Sequence, residues 1–239
     1  MYKILIIAMF AVPMAIFGCL DNNFSRLNGQ QALIQDEQKE NLDTRSLAIL
    51  NQYGRTIKNY STQYGIDWRL VVAVMKQESQ FDHSAESYKG AAGLMQIMPA
   101  TQAIIAKEIG IKQTAFNDPR ENIRGGIYYL AKLYRQFDKQ GISEENKIKF
   151  SLAAYNAGIN RVIDAQKMAS YVNDDPREWN SVKNSLSLLS KRYSSLHKFV
   201  WEEKKPAAGY FRDWRQTSNY VESVMEYYKK YKIVLNNQA

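Results

Sequence analysis

The chain has 239 residues, 45% of them hydrophobic and 23% charged, with 12 glycines and 5 prolines, a balance that supplies a packed core and excludes collagen-like, low-complexity and wholly disordered readings. Thirty-two Lys and Arg against 24 Asp and Glu give a net charge of +8 and a pI near 9.3. Such a balance favours an acidic partner, whether nucleic acid, anionic lipid or an anionic cell-wall polymer, without choosing among them.

Met1-Tyr2-Lys3 supplies one positive charge ahead of an apolar run from Ile4 to Phe17 broken only by Pro13. The run is shorter than the ~20 residues a membrane-spanning helix needs, so residues 1–18 read as a cleaved secretory signal rather than a permanent span. Cys19 is the only cysteine and follows Gly18 directly, which resembles the lipobox of bacterial lipoproteins. That resemblance implies a lipid on Cys19 and attachment to a bacterial membrane; an incidental or buried thiol is the alternative. Leu20 in place of an aspartate tilts a two-membrane cell toward outer-membrane delivery, facing the periplasm. With one cysteine, and with His83 and His197 the only histidines, an intrachain disulfide is excluded and no Cys/His zinc cluster is available. No metal or other cofactor is expected.

Residues 19–44 are rich in Asn, Gln, Asp and Glu and read as a lipidated N-terminus and flexible tether, with a short helix around Ala32 to Asn41 left open. From 45 to 239 the pattern is helical almost throughout, without a convincing strand alternation, and predicts one all-α domain of five or six helices. Asp67 caps a helix from Trp68 to about Ser79. Asp118-Pro119-Arg120-Glu121 sets a capping acid, an N1 proline and a capping-box glutamate in order, opening a long helix with an apolar stripe through Ile123, Ile127, Leu130 and Phe137. Ser143 opens a helix that carries Ile148, Leu152 and Tyr155 and stops near Gly158. Asp175-Pro176 is read as opening another through Trp179, Val182, Leu186 and Leu189, and a last one runs from about Asn219 with Val221, Val224, Met225 and Tyr228 on one side.

In the helix from Trp68, Val71, Val74 and Met75 form the apolar face, and Glu78 falls on that face seven residues after Val71. Burial and the nearby helix C-terminus both disfavour its charged form, and a carboxylic acid that keeps its proton near neutrality is a general acid. A glutamate swinging into solvent from a frayed helix end is the other reading of the periodicity.

Glu78-Ser79-Gln80-Phe81, the run from Ser87 through Gly90-Ala91-Ala92-Gly93-Leu94-Met95-Gln96 to Thr101, and Ala154-Tyr155-Asn156-Ala157-Gly158 stand in this order, with Asp118-Pro119 and Asn122-Ile123 between them. Together they resemble the lytic transglycosylase family of the soluble-transglycosylase (SLT) type, over about residues 67–158. The resemblance implies a lysozyme-like (goose-type) helical domain that cuts the β-1,4 bond between N-acetylmuramic acid and N-acetylglucosamine without water and leaves a 1,6-anhydro end. Glu78 would protonate the leaving oxygen and then, as carboxylate, take the proton of the sugar's own 6-hydroxyl. An oriented internal nucleophile, with an effective molarity of ~10⁵ M or more, explains why one acid suffices where ordinary glycosidases need two. Asp82 is the nearest second acid and is assigned to a turn.

By the same resemblance Ser87 contacts the muramic N-acetyl region, and Met95 and Gln96 line the cleft. Gln96, in an apolar run, needs a hydrogen-bond partner that a sugar could supply. Tyr155 and Asn156 follow the same logic, Tyr155 bonding near Glu78 or the N-acetyl group unless it is core with its hydroxyl at the edge. The family often carries an ETRxYV segment near its end; over Gln216 to Val221 this chain keeps Tyr220 and Val221 but not the Glu or the Arg, and Tyr220 is placed facing the cleft. Residues 171–213 carry no legible motif and are read as a lineage-specific wall of the groove. The implied partners are peptidoglycan glycan strands and, through Cys19, a membrane. Scattered basic residues and an export signal exclude nucleic acid, and no protein partner is readable. A hydrolytic lysozyme of the same fold and a catalytically silent peptidoglycan-binding lipoprotein are the competing readings.

Overall fold

The computed structural model describes residues 42–236 apart from residue 140. The signal over 1–18, the lipidation at Cys19 and nearly all of the tether lie outside the described residues. No helix among the described residues is long and apolar enough to cross a membrane.

The described chain is all-α, with nine α-helices and two short 3-10 turns where five or six helices were expected. Helix α1 (Thr44–Tyr64) is capped by Asp43, whose side chain accepts from Ser46 N and pairs with Lys76 at 2.7 Å. Leu42, just before it, is buried. Helix α2 (Trp68–Ser79) opens as expected on Asp67, which accepts from Arg69 N. It has no single apolar face, because every residue from Leu70 to Met75 is buried. The reason is its place in the centre, between α1 and the C-terminal helix.

Residues 80–98 form no helix and hold only two isolated antiparallel bridges, Glu86 with Ala92 and Ala92 with Ile97. Helices α3 (Pro99–Ile109) and α4 (Pro119–Gln136) follow, separated by a 3-10 turn at Gln113–Asn117. Asp118 caps α4 through Arg120 N, but the expected capping box does not close. The Asp118 N–H is already spent on the Ala115 carbonyl at 2.9 Å, and Glu121 pairs with Arg124 instead. The stripe Ile123, Ile127, Leu130 and Phe137 is buried as its spacing predicts.

Helix α5 (Glu144–Ala157) is capped by Ser143 and ends at Gly158, whose φ of 90° breaks the helix; α6 (Ile159–Tyr171) restarts at once. That immediate restart hides a second helix in the sequence. Asp175-Pro176 does not open α7 (Trp179–Leu188): Asp175 is occupied by an Asx turn onto Arg177 N and a fork with the Arg177 guanidinium, and the helix begins three residues beyond the proline. A 3-10 turn (Lys191–Tyr193) and the short α8 (Ser194–Val200) lead to α9 (Trp214–Asn236), which starts five residues earlier than its apolar stripe indicated. Helices α2, α4, α5 and α9 pack into one core with α1 across α2 and α4. Each fully buried Val, Leu, Ile or Met contributes ~1.5–3 kcal/mol by leaving water, and this core fixes the relative positions of the C-terminal end of α2, the end of α5 and the start of α9.

Candidate active site

Those three helix ends converge on Glu78. It occupies the last turn of α2, half-buried, so that one edge stays open while the core closes the rest. Burial pushes its carboxyl up to about 7, and a hydrogen bond donated by the Tyr220 hydroxyl to Oε1 at 2.6 Å partly opposes that rise. The Tyr220 hydroxyl is buried and is itself held well above its ordinary range by burial and by Glu78, so it stays a donor. α2 ends at Ser79, one residue after Glu78, with Gln80 and Phe81 both at positive φ, 51° and 66°. Ser79 Oγ donates to the Met75 and Leu94 carbonyls, which ties the helix end to the loop that follows.

That loop builds one wall of a cavity of about 180 Å³, lined by Gln96, Met98 and Thr101 on one side and by Tyr129, Tyr155 and Asn156 on the other. Gly93 turns the loop at φ 77°, and its missing Cβ is required twice over, since a Cβ there would lie 2.5 Å from the Asn122 amide. Asn122, buried on α4, accepts from Met95 N at 2.9 Å and donates to the Ala92 carbonyl at 3.0 Å, bracing the loop from below.

The expected site residues take different places. Tyr220 bonds Glu78 directly. Tyr155 is wedged beside Glu78 and the Tyr129 ring, 5.5 Å between centroids, and its hydroxyl donates to the Met95 carbonyl at 2.8 Å. Burial first, and then the Glu78 carboxylate, raise its ionisation well above the usual phenol range. Asn156 lines the cavity and accepts from Thr217 Oγ1 at 2.8 Å. Ser87 is half-buried in the loop, where its hydroxyl accepts from Ala91 N at 2.9 Å.

Two expectations are corrected. The Met95 side chain does not line the cleft: it is fully buried, seated in a notch left by Gly126, where a Cβ would approach it to 2.6 Å, and only its carbonyl serves the site. Gln96 does line the cavity, but its amide nitrogen needs no sugar, because it donates to the Ala85 and Gly93 carbonyls at 2.9 and 3.0 Å. Its φ of 45° is the strain that this loop-bracing role imposes. Asp82 is exposed and accepts from Ser84 N and Oγ, an Asx turn that holds its carboxyl below the ordinary range. Asn122, Tyr129 and Thr217 were given no role from sequence. Asn122 and Thr217 fall within family-like segments, which is a signal; Tyr129 lies beside the apolar stripe of α4, and nothing in the pattern distinguishes it.

No carboxylate lines the cavity. The arrangement is one proton-bearing acid, two phenols that remain neutral and a fixed carboxamide, which is suited to protonating a leaving oxygen and later receiving a proton from a nearby hydroxyl.

Residues 55–180 match the family model described as transglycosylase SLT domain. Membrane-bound lytic murein transglycosylase F of Desulfosudis oleivorans is 35% identical over 181 residues, covering 75% of this chain and 36% of that protein. The protein of the same name from Vibrio campbellii is 30% identical over 234 residues, covering 93% of this chain and 39% of that one. The chain thus spans little more than a third of the length of these curated relatives. Among solved structures, the 70 kDa soluble lytic transglycosylase of Escherichia coli aligns with a TM-score of 0.54 at 25% identity, covering 77% of this chain and 24% of that one. This agrees with the expected all-α, lysozyme-like architecture.

Proposed function

Since the chain belongs to the transglycosylase SLT domain family, we propose that it is a peptidoglycan lytic transglycosylase with Glu78 as its only acid and base. The observation that carries this reading is one half-buried carboxyl raised to about 7, behind Tyr155 of a cavity whose lining carries no carboxylate of its own. Glu78 gives its proton to the glycosidic oxygen between N-acetylmuramic acid and N-acetylglucosamine as the C1–O bond breaks toward that oxygen. The 6-hydroxyl oxygen of the muramic residue then closes on C1 and its proton passes to the Glu78 carboxylate. The products are a 1,6-anhydromuramic end and a free 4-hydroxyl; no water is consumed and Glu78 is restored. Tyr220 steadies the carboxylate in the second half by its hydrogen bond, and Asn156, Tyr155 and the Ser87 loop are the groups available to hold the N-acetyl side of the sugar.

The relatives' name, membrane-bound lytic murein transglycosylase, supports placing the protein on a membrane; a lipid on Cys19 as the anchor and the outer membrane as the destination rest on the Gly18-Cys19-Leu20 sequence alone. Cys19→Ser should then release the protein from sedimented membranes; retention of that variant would show that something other than a lipid holds it.

The deciding experiment is digestion of purified peptidoglycan with mass spectrometry of the fragments, and Glu78→Gln as control. Fragments lighter by one water than hydrolysis products, absent with a folded Glu78→Gln, are expected, with a rate loss on the order of 10³-fold or more. Reducing ends would make the enzyme a hydrolytic lysozyme, and full activity in Glu78→Gln would remove the assigned acid.

A further inference from the structure

Of the 8 methionines in the chain, Met1, Met9 and Met14 precede the described residues. Met75, Met95 and Met168 are fully buried, Met225 is 7% exposed, and all four belong to the hydrophobic core. Met98 is 39% exposed and stands outside that core. Its position follows from the chain on either side. Ile97, before it, is held inside by its bridge to Ala92, with Ile97 N donating to the Ala92 carbonyl at 3.2 Å, and Pro99, after it, begins α3. Met98 is therefore the N-cap residue of α3, in extended backbone at φ −64° and ψ 144°, and its side chain makes no capping bond. Neither the core nor the helix claims it.

The Met98 side chain instead forms part of the wall of the active-site cavity, with Gln96, Thr101, Tyr129, Tyr155 and Asn156. The cavity holds only about 180 Å³, so a change in one wall side chain is felt across it. A thioether is apolar and a weak acceptor. Its sulfoxide is polar and chiral, and among two hydroxyls and a carboxamide its oxygen competes for the donors of Thr101, Tyr129 and Asn156 while the apolar part of the wall is lost. Susceptibility to oxidation follows access to the sulfur, which the core denies to Met75, Met95 and Met168.

We propose that Met98 is a redox modification site, at which a peroxide converts the thioether to a sulfoxide and so weakens the hold of the cavity on a glycan strand. The sulfur lone pair attacks one peroxide oxygen, the O–O bond breaks as the S–O bond forms, and the displaced oxygen leaves as water after taking the proton of the transferred one. Sulfur is oxidised by two electrons and the peroxide is reduced. A dithiol reductase reverses the step, releasing the oxygen as water and closing its own disulfide. The chemistry at sulfur stands by itself; its effect on cleavage rests on the peptidoglycan reading above.

The test treats the full chain with millimolar hydrogen peroxide and follows sulfoxide formation at each methionine by peptide mapping with mass spectrometry, beside cleavage of purified peptidoglycan and co-sedimentation with it. Met98 should be oxidised about tenfold or more faster than Met75, Met95 or Met168. As its sulfoxide accumulates, KM and the half-point of co-sedimentation should rise about three- to tenfold, and methionine sulfoxide reductase should restore both. Met98→Leu carries no sulfur at this position. Each protein is scored against its own untreated rate, so any cost of the substitution cancels, and the treated variant should match the untreated variant. Oxidation of the buried methionines as fast as Met98, a Met98 sulfoxide that changes neither cleavage nor binding, or an equal loss in Met98→Leu would overturn the proposal. If the untreated wild type cuts no peptidoglycan, the enzymatic reading fails by itself, and the peptide map and co-sedimentation still decide this one.

Discussion

Around Glu78 the polar side chains are held by one another, Tyr220 on the carboxylate, Tyr155 on the Met95 carbonyl and Thr217 on Asn156, whereas along residues 189–213 six cations stand without an ion-pair partner among the described residues. In the cleft, fixed partners leave little to reorganise when charge moves, and a half-buried carboxyl can be kept near 7 only where nearby groups are already satisfied. On residues 189–213 the cations are exposed and make no ion pair among the described residues, so their field is screened within about 8–10 Å at physiological salt. The contrast separates a region whose side chains are fixed by their hydrogen bonds from a surface whose charges are not. It can be broken by loosening the first or sharpened by removing its bonds one at a time.

The largest effect is expected at the loop that forms the cavity wall. Gly93→Ala must place a side chain at φ 77° and 2.5 Å from the Asn122 amide, which displaces the bond that braces Met95 N. We expect a loss of ~2–4 kcal/mol in denaturant unfolding, with cleavage falling in parallel. An Ala variant as stable as the wild type would show that the loop is not braced by Asn122. Substituting Lys191, Lys204 or Lys205, exposed and in no ion pair among the described residues, should by contrast stay within about 0.5 kcal/mol.

How much of this was legible beforehand depends on whether local chemistry or packing decided the outcome. Asp67, Asp118 and Ser143 announced their helices because each cap satisfies an N–H within three residues of itself, a purely local transaction. Asp175-Pro176 carries the same signature, but its aspartate was claimed by Arg177, two residues on, so α7 begins later. The place of Glu78 among apolar residues was readable from spacing, and its raised ionisation followed from burial. The partners of Gln96, by contrast, are carbonyls brought close by the turn at Gly93, and the seat of Met95 is the notch at Gly126 on another helix. Sequence marked both residues as special and assigned each the wrong neighbour, because those neighbours exist only after α4 packs. The anchoring of residues 189–213 to α6 through Asp164 and Arg161 has no local signature at all.

An intermediate effect is expected for Tyr220→Phe. The substitution keeps the ring in the core and deletes the one hydrogen bond that holds the Glu78 ionisation down, so that ionisation moves above about 7. The acid form then persists to higher pH and the basic limb of the pH–rate profile shifts upward. The rate near neutrality falls about ten- to a hundredfold, because a hydrogen bond to a charged group is worth ~1.5–3 kcal/mol and the carboxylate needs it in the second half of the reaction. The linkage to stability has a definite sign. A carboxyl raised above its ordinary value of 4.5 is penalised in the folded state once it ionises, so its contribution is most favourable below 4.5 and is lost as pH rises through about 7. Tyr220→Phe, by removing a partner of the charged form, should lower stability further above neutrality and leave it nearly unchanged at pH 4. A pH–rate profile with an unmoved basic limb would mean that Tyr220 does not set the ionisation of Glu78.

The smallest effect is the most discriminating. Thr217 donates to Asn156 Oδ1 and thereby fixes which edge of the carboxamide is spent inside the protein, leaving the NH₂ edge to the cavity, where an N-acetyl carbonyl could accept from it. Thr217→Val preserves volume but leaves Oδ1 without its donor, and the amide loses its preferred orientation. One neutral hydrogen bond is worth ~0.5–1.5 kcal/mol, so KM for glycan strands should rise about three- to tenfold with kcat unchanged. Thr217→Ser should restore it. The pH–rate profile should not move, since Thr217 acts on a group that does not titrate, and this distinguishes it from Tyr220→Phe three residues along the same helix. A fall in kcat with KM constant would instead place Asn156 in the proton-transfer step rather than in sugar binding.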